Sequence, residues 1–211
     1  MEEIYCFAGN PLDRVSERRR DREWIASLLA DPRSRILPLY DLKPSVPDML
    51  RPALDWQEIA PWRAVIDGGA MLIFLGIADD GRAYFAIDAT HSGIPAEAEN
   101  IDVRTLAPLI PVGEAAILAE ARSLIDWHAR HGFCAQCGAP TNVSSAGWTR
   151  RSAKSAEITG GSQQRLPAWV SQAVRLERSW RSLPLGWSGA LPSQWEPRSL
   201  SPSSPRQSGC S

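Results

Sequence analysis

Ala121-Arg122-Ser123-Leu124-Ile125-Asp126-Trp127-His128-Ala129-Arg130-His131-Gly132-Phe133-Cys134-Ala135-Gln136-Cys137-Gly138 decides the fold of this chain. Its first half belongs to a longer run, Glu114 to His131, in which Ile117, Ala121, Leu124, Ile125 and His128 fall on one helical face. Gly132 stands where a left-handed residue ends a helix. The second half is a Cys-x-x-Cys turn with glycine directly behind the second cysteine. Two intervening residues let one tight turn aim both sulfurs at a single tetrahedral Zn²⁺, and Gly138 frees the backbone to point amides at them. The same residues also read as two free thiols in a turn. A redox pair fits less well, because no thioredoxin-like βαβ pattern surrounds them.

Structural zinc needs four ligands, so a second pair should follow after a short ribbon. After fourteen intervening residues beyond Cys137 the spacing is right at Ser152-Ala153-Lys154-Ser155, but serine fills both ligand positions. A serine hydroxyl keeps its proton at neutral pH and binds zinc weakly. His131 and His128 are the substitute ligands to consider, although a histidine at a helix end more often caps or packs.

Working back toward the N-terminus, Met71 to Ile77 and Arg82 to Asp88 are strand-like runs joined by Ala78-Asp79-Asp80-Gly81, a hairpin signature. Ile36 to Tyr40 reads as a strand, and Pro38 within it predicts an edge position. Trp24, Ile25, Leu28 and Leu29 give an amphipathic helix of about three turns between Asp21 and Pro32. Helix, strand, hairpin and long helix form an α+β pattern, a mixed sheet with flanking helices, with too few alternations for a doubly wound parallel sheet. No repeat of solenoid length is visible.

The chain has 211 residues and a formal net charge of −1, which excludes a globally basic nucleic-acid binder. Residues 1 to 150 hold 15 basic and 21 acidic groups, net −6, whereas 151 to 211 hold eight basic and three acidic, net +5. The last 61 residues include 14 Ser, six Pro and five Gly, and lack Asp, Asn, Phe, Tyr, His and Met. Such a segment has little to build a core from and is expected to be largely disordered. RNA binding by this tail, with Trp169, Trp180, Trp187 and Trp195 as stacking platforms, is disfavoured by its thin positive charge and lack of a regular scaffold. The division expected is therefore 1–131, a ribbon-like segment 132–157, and a tail 158–211. The longest near-continuous apolar run, Ala70 to Ile77, falls far short of the roughly 20 residues a bilayer requires. The acidic start, Met1-Glu2-Glu3-Ile4, is unlike an export signal, so a cytoplasmic location is expected.

Three stretches together resemble a known family: Phe7-Ala8-Gly9-Asn10-Pro11-Leu12-Asp13-Arg14, Ser34-Arg35-Ile36-Leu37-Pro38-Leu39, and Ala121 to His128 running into Phe133 to Gly138. Residues 5 to 150 resemble the N-terminal domain and first ribbon half of an NADH pyrophosphatase of the Nudix hydrolase superfamily. The resemblance implies hydrolysis of NAD(H) to nicotinamide mononucleotide and AMP, possible action on NAD-capped RNA, structural zinc through Cys134 and Cys137, homodimerisation through the N-terminal domain, and a substrate contact at Arg104. Intact relatives also need Mg²⁺ or Mn²⁺, held by the glutamates of Gly-x5-Glu-x7-Arg-Glu-x-x-Glu-Glu-x-Gly. Residues 151 to 211 contain only Glu157, Glu177 and Glu196, about 20 apart, which cannot form that cage. The expectation is a truncated or frame-shifted relative, inactive alone, whose reading frame changes near codon 151; Gln163-Gln164-Arg165-Leu166-Pro167 is similar to the Arg-x-Pro that precedes the Nudix box. The alternative is a non-catalytic zinc-binding or dimerisation module.

Overall fold

A computed structural model describes residues 9–156 and 163–165. The described residues begin with a loop, residues 9–21, whose last member caps helix α1 (Arg22–Ala30): Asp21 accepts a hydrogen bond from the Trp24 amide. Strand β1 (Arg35–Tyr40) turns back through β2 (Lys43–Val46), and a short β3 (Gln57–Glu58) leads through a 3₁₀ turn, Ala60–Trp62, into α2 (Arg63–Asp67). The expected hairpin is β4 (Leu72–Ile77) and β5 (Ala83–Asp88), antiparallel, with Gly81 at φ +79° in the turn. After β6 (Glu99–Asn100) and one turn of helix α3 (Val103–Leu106) comes α4 (Val112–Arg130), and then β7 (Thr141–Ser144), β8 (Thr149–Ser152) and β9 (Gln163–Arg165). The fold is α+β.

Six strands form the main sheet in the order β4-β5-β1-β2-β6, with β3 also on β1. Alternation along the strands feeds two cores. Leu37, Leu39, Ile73, Leu75 and Ala86 face α4, where Ile117, Leu118, Ala121, Leu124 and Ile125 are buried. Ile36, Phe74, Phe85 and Ile87 face the other way, against Trp62 and the apolar stripe Trp24, Ile25, Leu28 and Leu29 of α1. Both faces of the central strands are thus covered, which is why these strands read as continuous apolar runs.

Two expectations are corrected. Pro38 does not mark an edge: β1 is central, parallel to β5 on one side. The Leu39 carbonyl accepts from the Ala89 amide, so Leu39 points its backbone at β5 and Pro38 points the opposite way. On that opposite side β3 pairs with Arg35 and Ile36, and β2 with Leu39 and Tyr40, leaving the missing Pro38 N–H in the gap between them. Nor does Gly132 cap α4 in a left-handed conformation. The helix ends at His131, φ −114°, whose ring Nδ1 lies 2.7 Å from the Trp127 carbonyl. The side chain covers a carbonyl that a glycine cap leaves to the backbone.

Within the segment expected to be largely disordered, Arg151 and Ser152 end β8, Ala153–Ala156 is a one-turn helix, and Gln163–Arg165 is a strand paired with β8. The remainder of that expectation, and the four tail tryptophans, lie outside the described residues. Among the described residues no helix is long and apolar enough to cross a membrane.

Candidate functional site

The knuckle forms as a tight turn directly behind α4. The Cys134 amide donates to the Ala139 carbonyl and the Gly138 amide to the Cys134 carbonyl, both at 2.8 Å, with Gly138 at φ +67°. Cys134 is buried and Cys137 exposed. β7 and β8 then pair in the register Thr141↔Ser152 through Ser144↔Thr149, so the ribbon forms. That register brings Ser152, itself buried, to the knuckle: its Oγ lies 3.4 Å from Cys137 Sγ. The ribbon register thus sets position 152 beside the second cysteine of the knuckle. Ser155 lies in the following one-turn helix, Ala153–Ala156.

The donor set does not fit a tetrahedral zinc. Two thiols face a hydroxyl, and among the described residues no three of His, Cys, Asp and Glu converge as metal ligands. Neither substitute histidine is offered to the site. His131 engages the Trp127 carbonyl through Nδ1 and belongs to no group of three potential ligands among the described residues. His128 is buried and uses both ring nitrogens elsewhere: Nε2 is 2.6 Å from the Gly147 carbonyl and Nδ1 is 3.0 Å from Arg150 Nη1.

What ties the ribbon to the domain is a buried polar network that the sequence reading missed. Arg150 donates from Nε to Thr141 Oγ1 at 2.7 Å, and from Nη2 to the Thr141 carbonyl at 2.9 Å. Thr141 Oγ1 in turn donates to the His131 carbonyl at 2.7 Å. Because Gly147 O and the Arg150 guanidinium are an obligate acceptor and an obligate donor, His128 must carry its proton on Nε2 and none on Nδ1. Burial, reinforced by the Arg150 charge, pushes the His128 pKa down to about 4, against the opposing pull of the Gly147 carbonyl.

The β7–β8 turn docks just as closely. Trp148 Nε1 donates to the Phe74 carbonyl at 2.6 Å, and the Phe74 amide donates to the Ala146 carbonyl at 3.0 Å. Gly147, at φ +90°, lies so near β4 that a Cβ there would meet the Leu72 carbonyl oxygen at 2.8 Å. On the far side of Trp148, the Arg19 guanidinium stacks 3.5 Å from the ring centroid, and Arg14 bonds Glu120 of α4 through Nε at 2.8 Å. The opening motif Asn10 to Arg14 is thereby a clamp: Asn10 Nδ2 also reaches Glu120, at 3.3 Å. Its only signal in the sequence was its part in the family resemblance.

Arg104 sits apart from all of this. It is exposed on α3, behind the Asp102 cap that accepts its backbone amide at 2.9 Å.

Comparison with known proteins agrees with this architecture. Residues 33–127 match the NADH pyrophosphatase-like rudimentary NUDIX domain, and residues 129–151 the NADH pyrophosphatase zinc ribbon domain. The chain is similar to the NAD-capped RNA hydrolase NUDT12 of Homo sapiens, 27% identical over 185 residues, covering 68% of this chain and 39% of that protein. The NUDT12 of Macaca fascicularis matches to the same extent. It is also similar to the NAD-capped RNA hydrolase NudC of Mycobacterium tuberculosis (strain ATCC 25618 / H37Rv), 35% identical over 83 residues, covering 37% of this chain and 26% of that protein. The chain thus spans well under half the length of the curated relatives it matches. Its sheet, long helix and ribbon belong to the NADH pyrophosphatase family, as that family's rudimentary NUDIX domain followed directly by its zinc ribbon.

Proposed function

We propose that this chain carries the shape-determining part of an NAD(H) pyrophosphatase and does not hydrolyse NAD(H) on its own. The family's substrates, NAD(H) and NAD-capped RNA, are the ligands to which its folded part is related. Hydrolysis of a diphosphate at a useful rate needs clustered carboxylates that would hold a divalent metal, which would polarise the phosphorus and activate water. The observation that carries the reading is that residues 151–211 supply three glutamates about 20 apart and no Arg-Glu or Glu-Glu pair. Arg104, exposed and free to reach a phosphate, is the residue we assign to any remaining contact with the nucleotide.

A reading-frame change near codon 151 accounts for the composition of the tail, since out-of-frame translation of a G+C-rich gene yields Arg, Ser, Pro, Gly, Ala and Trp in excess. Translating the coding DNA beyond codon 150 in the other two frames tests this. A second Cys-x-x-Cys followed by a Nudix box in one frame is the expected result. Absence from both frames sinks the frame change and favours the alternative, a natural non-catalytic dimerisation module in which Ser152 is the native residue.

A further inference from the structure

The knuckle holds two thiols for which the ribbon supplies no zinc cage, and their burial differs sharply. Cys134 is 3% exposed, whereas Cys137 lies open to solvent, and neither is in a disulfide. One hydrogen-bonded turn separates them, closed by the Gly138 amide on the Cys134 carbonyl at 2.8 Å. Residues three apart in a tight turn have Cα atoms within about 7 Å, and a disulfide spans about 4.4–6.8 Å. The turn therefore brings the two positions into disulfide range.

Ser152 adds two further points. Its Oγ, on a buried residue of β8, lies 3.4 Å from Cys137 Sγ, so the exposed residue still turns its sulfur toward the ribbon. Serine at positions 152 and 155 also removes the competition: a hydroxyl forms no disulfide, and among the described residues there is no third cysteine. A complete zinc site engages all its thiolates. A pair that lacks that cage is open to exchange, with one sulfur accessible and the other sheltered beside it.

We propose that Cys134 and Cys137 form a thiol–disulfide exchange site that takes low-molecular-weight disulfides such as glutathione disulfide. Cys137 gives its proton to solvent and attacks as the thiolate; a mixed disulfide forms there and one glutathione thiolate leaves. Cys134, losing its proton in the same way, then attacks the Cys137 sulfur and expels the second glutathione. Two protein thiols are thereby oxidised to one disulfide, and one glutathione disulfide is reduced to two thiols. Burial bars the bulky reagent from Cys134 but not a sulfur of the same turn. No thioredoxin-like fold is needed, because exchange requires access at one sulfur and a second within reach. The bond closes the knuckle without metal.

The full chain, reduced and held with a zinc chelator, is incubated with glutathione disulfide, quenched with N-ethylmaleimide and digested with trypsin. Peptide 131–150 carries these two cysteines and no other. The expected product is that peptide without alkyl groups and lighter than its dithiol form by two hydrogens, returned to the dithiol by excess reduced glutathione. Cys134→Ser should accumulate the mixed disulfide at Cys137. Cys137→Ser should react at Cys134 at least about tenfold more slowly, as burial of that sulfur requires. In urea the two variants should react at similar rates. A native peptide that stays dithiol, or that stops at the mixed disulfide, overturns the proposal. So does equal reaction of the two variants in native buffer, or a difference that persists in urea, since the order of attack then owes nothing to the fold.

Discussion

Acidification should loosen the ribbon from the domain through His128. In the fold this ring is buried and neutral, with its folded pKa near 4 against an ordinary value of 6.5. The unfolded chain therefore takes up the proton first as pH falls. The contribution to stability is complete above about pH 6.5 and is lost progressively as pH drops to about 4. A gap of about 2.5 pH units corresponds to about 3 kcal/mol. The structure gives the causes: burial of the ring first, and then that a second proton has to sit on Nδ1, where it faces the Arg150 guanidinium at 3.0 Å. Urea denaturation followed by far-ultraviolet circular dichroism, repeated from neutral pH to about 4, measures the loss. Carboxylates also titrate in this range, so the comparison is with His128→Gln, which keeps a donor for Gly147 O and an acceptor for Arg150 but has no proton to gain. The native chain should lose about 3 kcal/mol more than the variant over that interval. Equal pH slopes in the two proteins refute the reasoning.

Three other outcomes follow from the same geometry. Arg150→Ala leaves the Thr141 carbonyl and His128 Nδ1 without this partner and should cost about 3–5 kcal/mol in the same urea experiment, because a buried network loses its central donor. Gly147→Ala forces a side chain into a left-handed conformation and against β4, and should destabilise by about 2 kcal/mol or more, read as a fall in Tm. Zinc, measured by atomic absorption after dialysis against a metal buffer, should be well below one equivalent in the native chain. Ser152→Cys/Ser155→Cys should raise it toward one, since position 152 already faces Cys137.

The elements that the sequence disclosed were those with strong periodicity: α1 and α4 through their apolar stripes, and β4 and β5 through a turn with only one good solution. Pro38 misled because its rule concerns a lost ladder bond, and here two short strands divide one side of β1 between them, so no bond is lost. Gly132 misled because its neighbour, His131, had a side chain able to do the capping. The nearness of Ser152 to the knuckle was legible from spacing alone. The arrangement of His128, Thr141, Arg150 and Trp148 was not: its members are spread over residues 128 to 150, each is ordinary by itself, and only the ribbon register brings them together.

The central claim is that this chain retains the family's shape without its chemistry, and one assay tests it most directly. The full chain, purified to constant specific content, is incubated with NADH and an excess of Mg²⁺ or Mn²⁺, and AMP is measured by liquid chromatography. The account predicts no AMP above the protein-free background, because no cluster of carboxylates in residues 151–211 can hold the metal against a diphosphate. Metal-dependent AMP release that stays proportional to this protein through a second purification contradicts it.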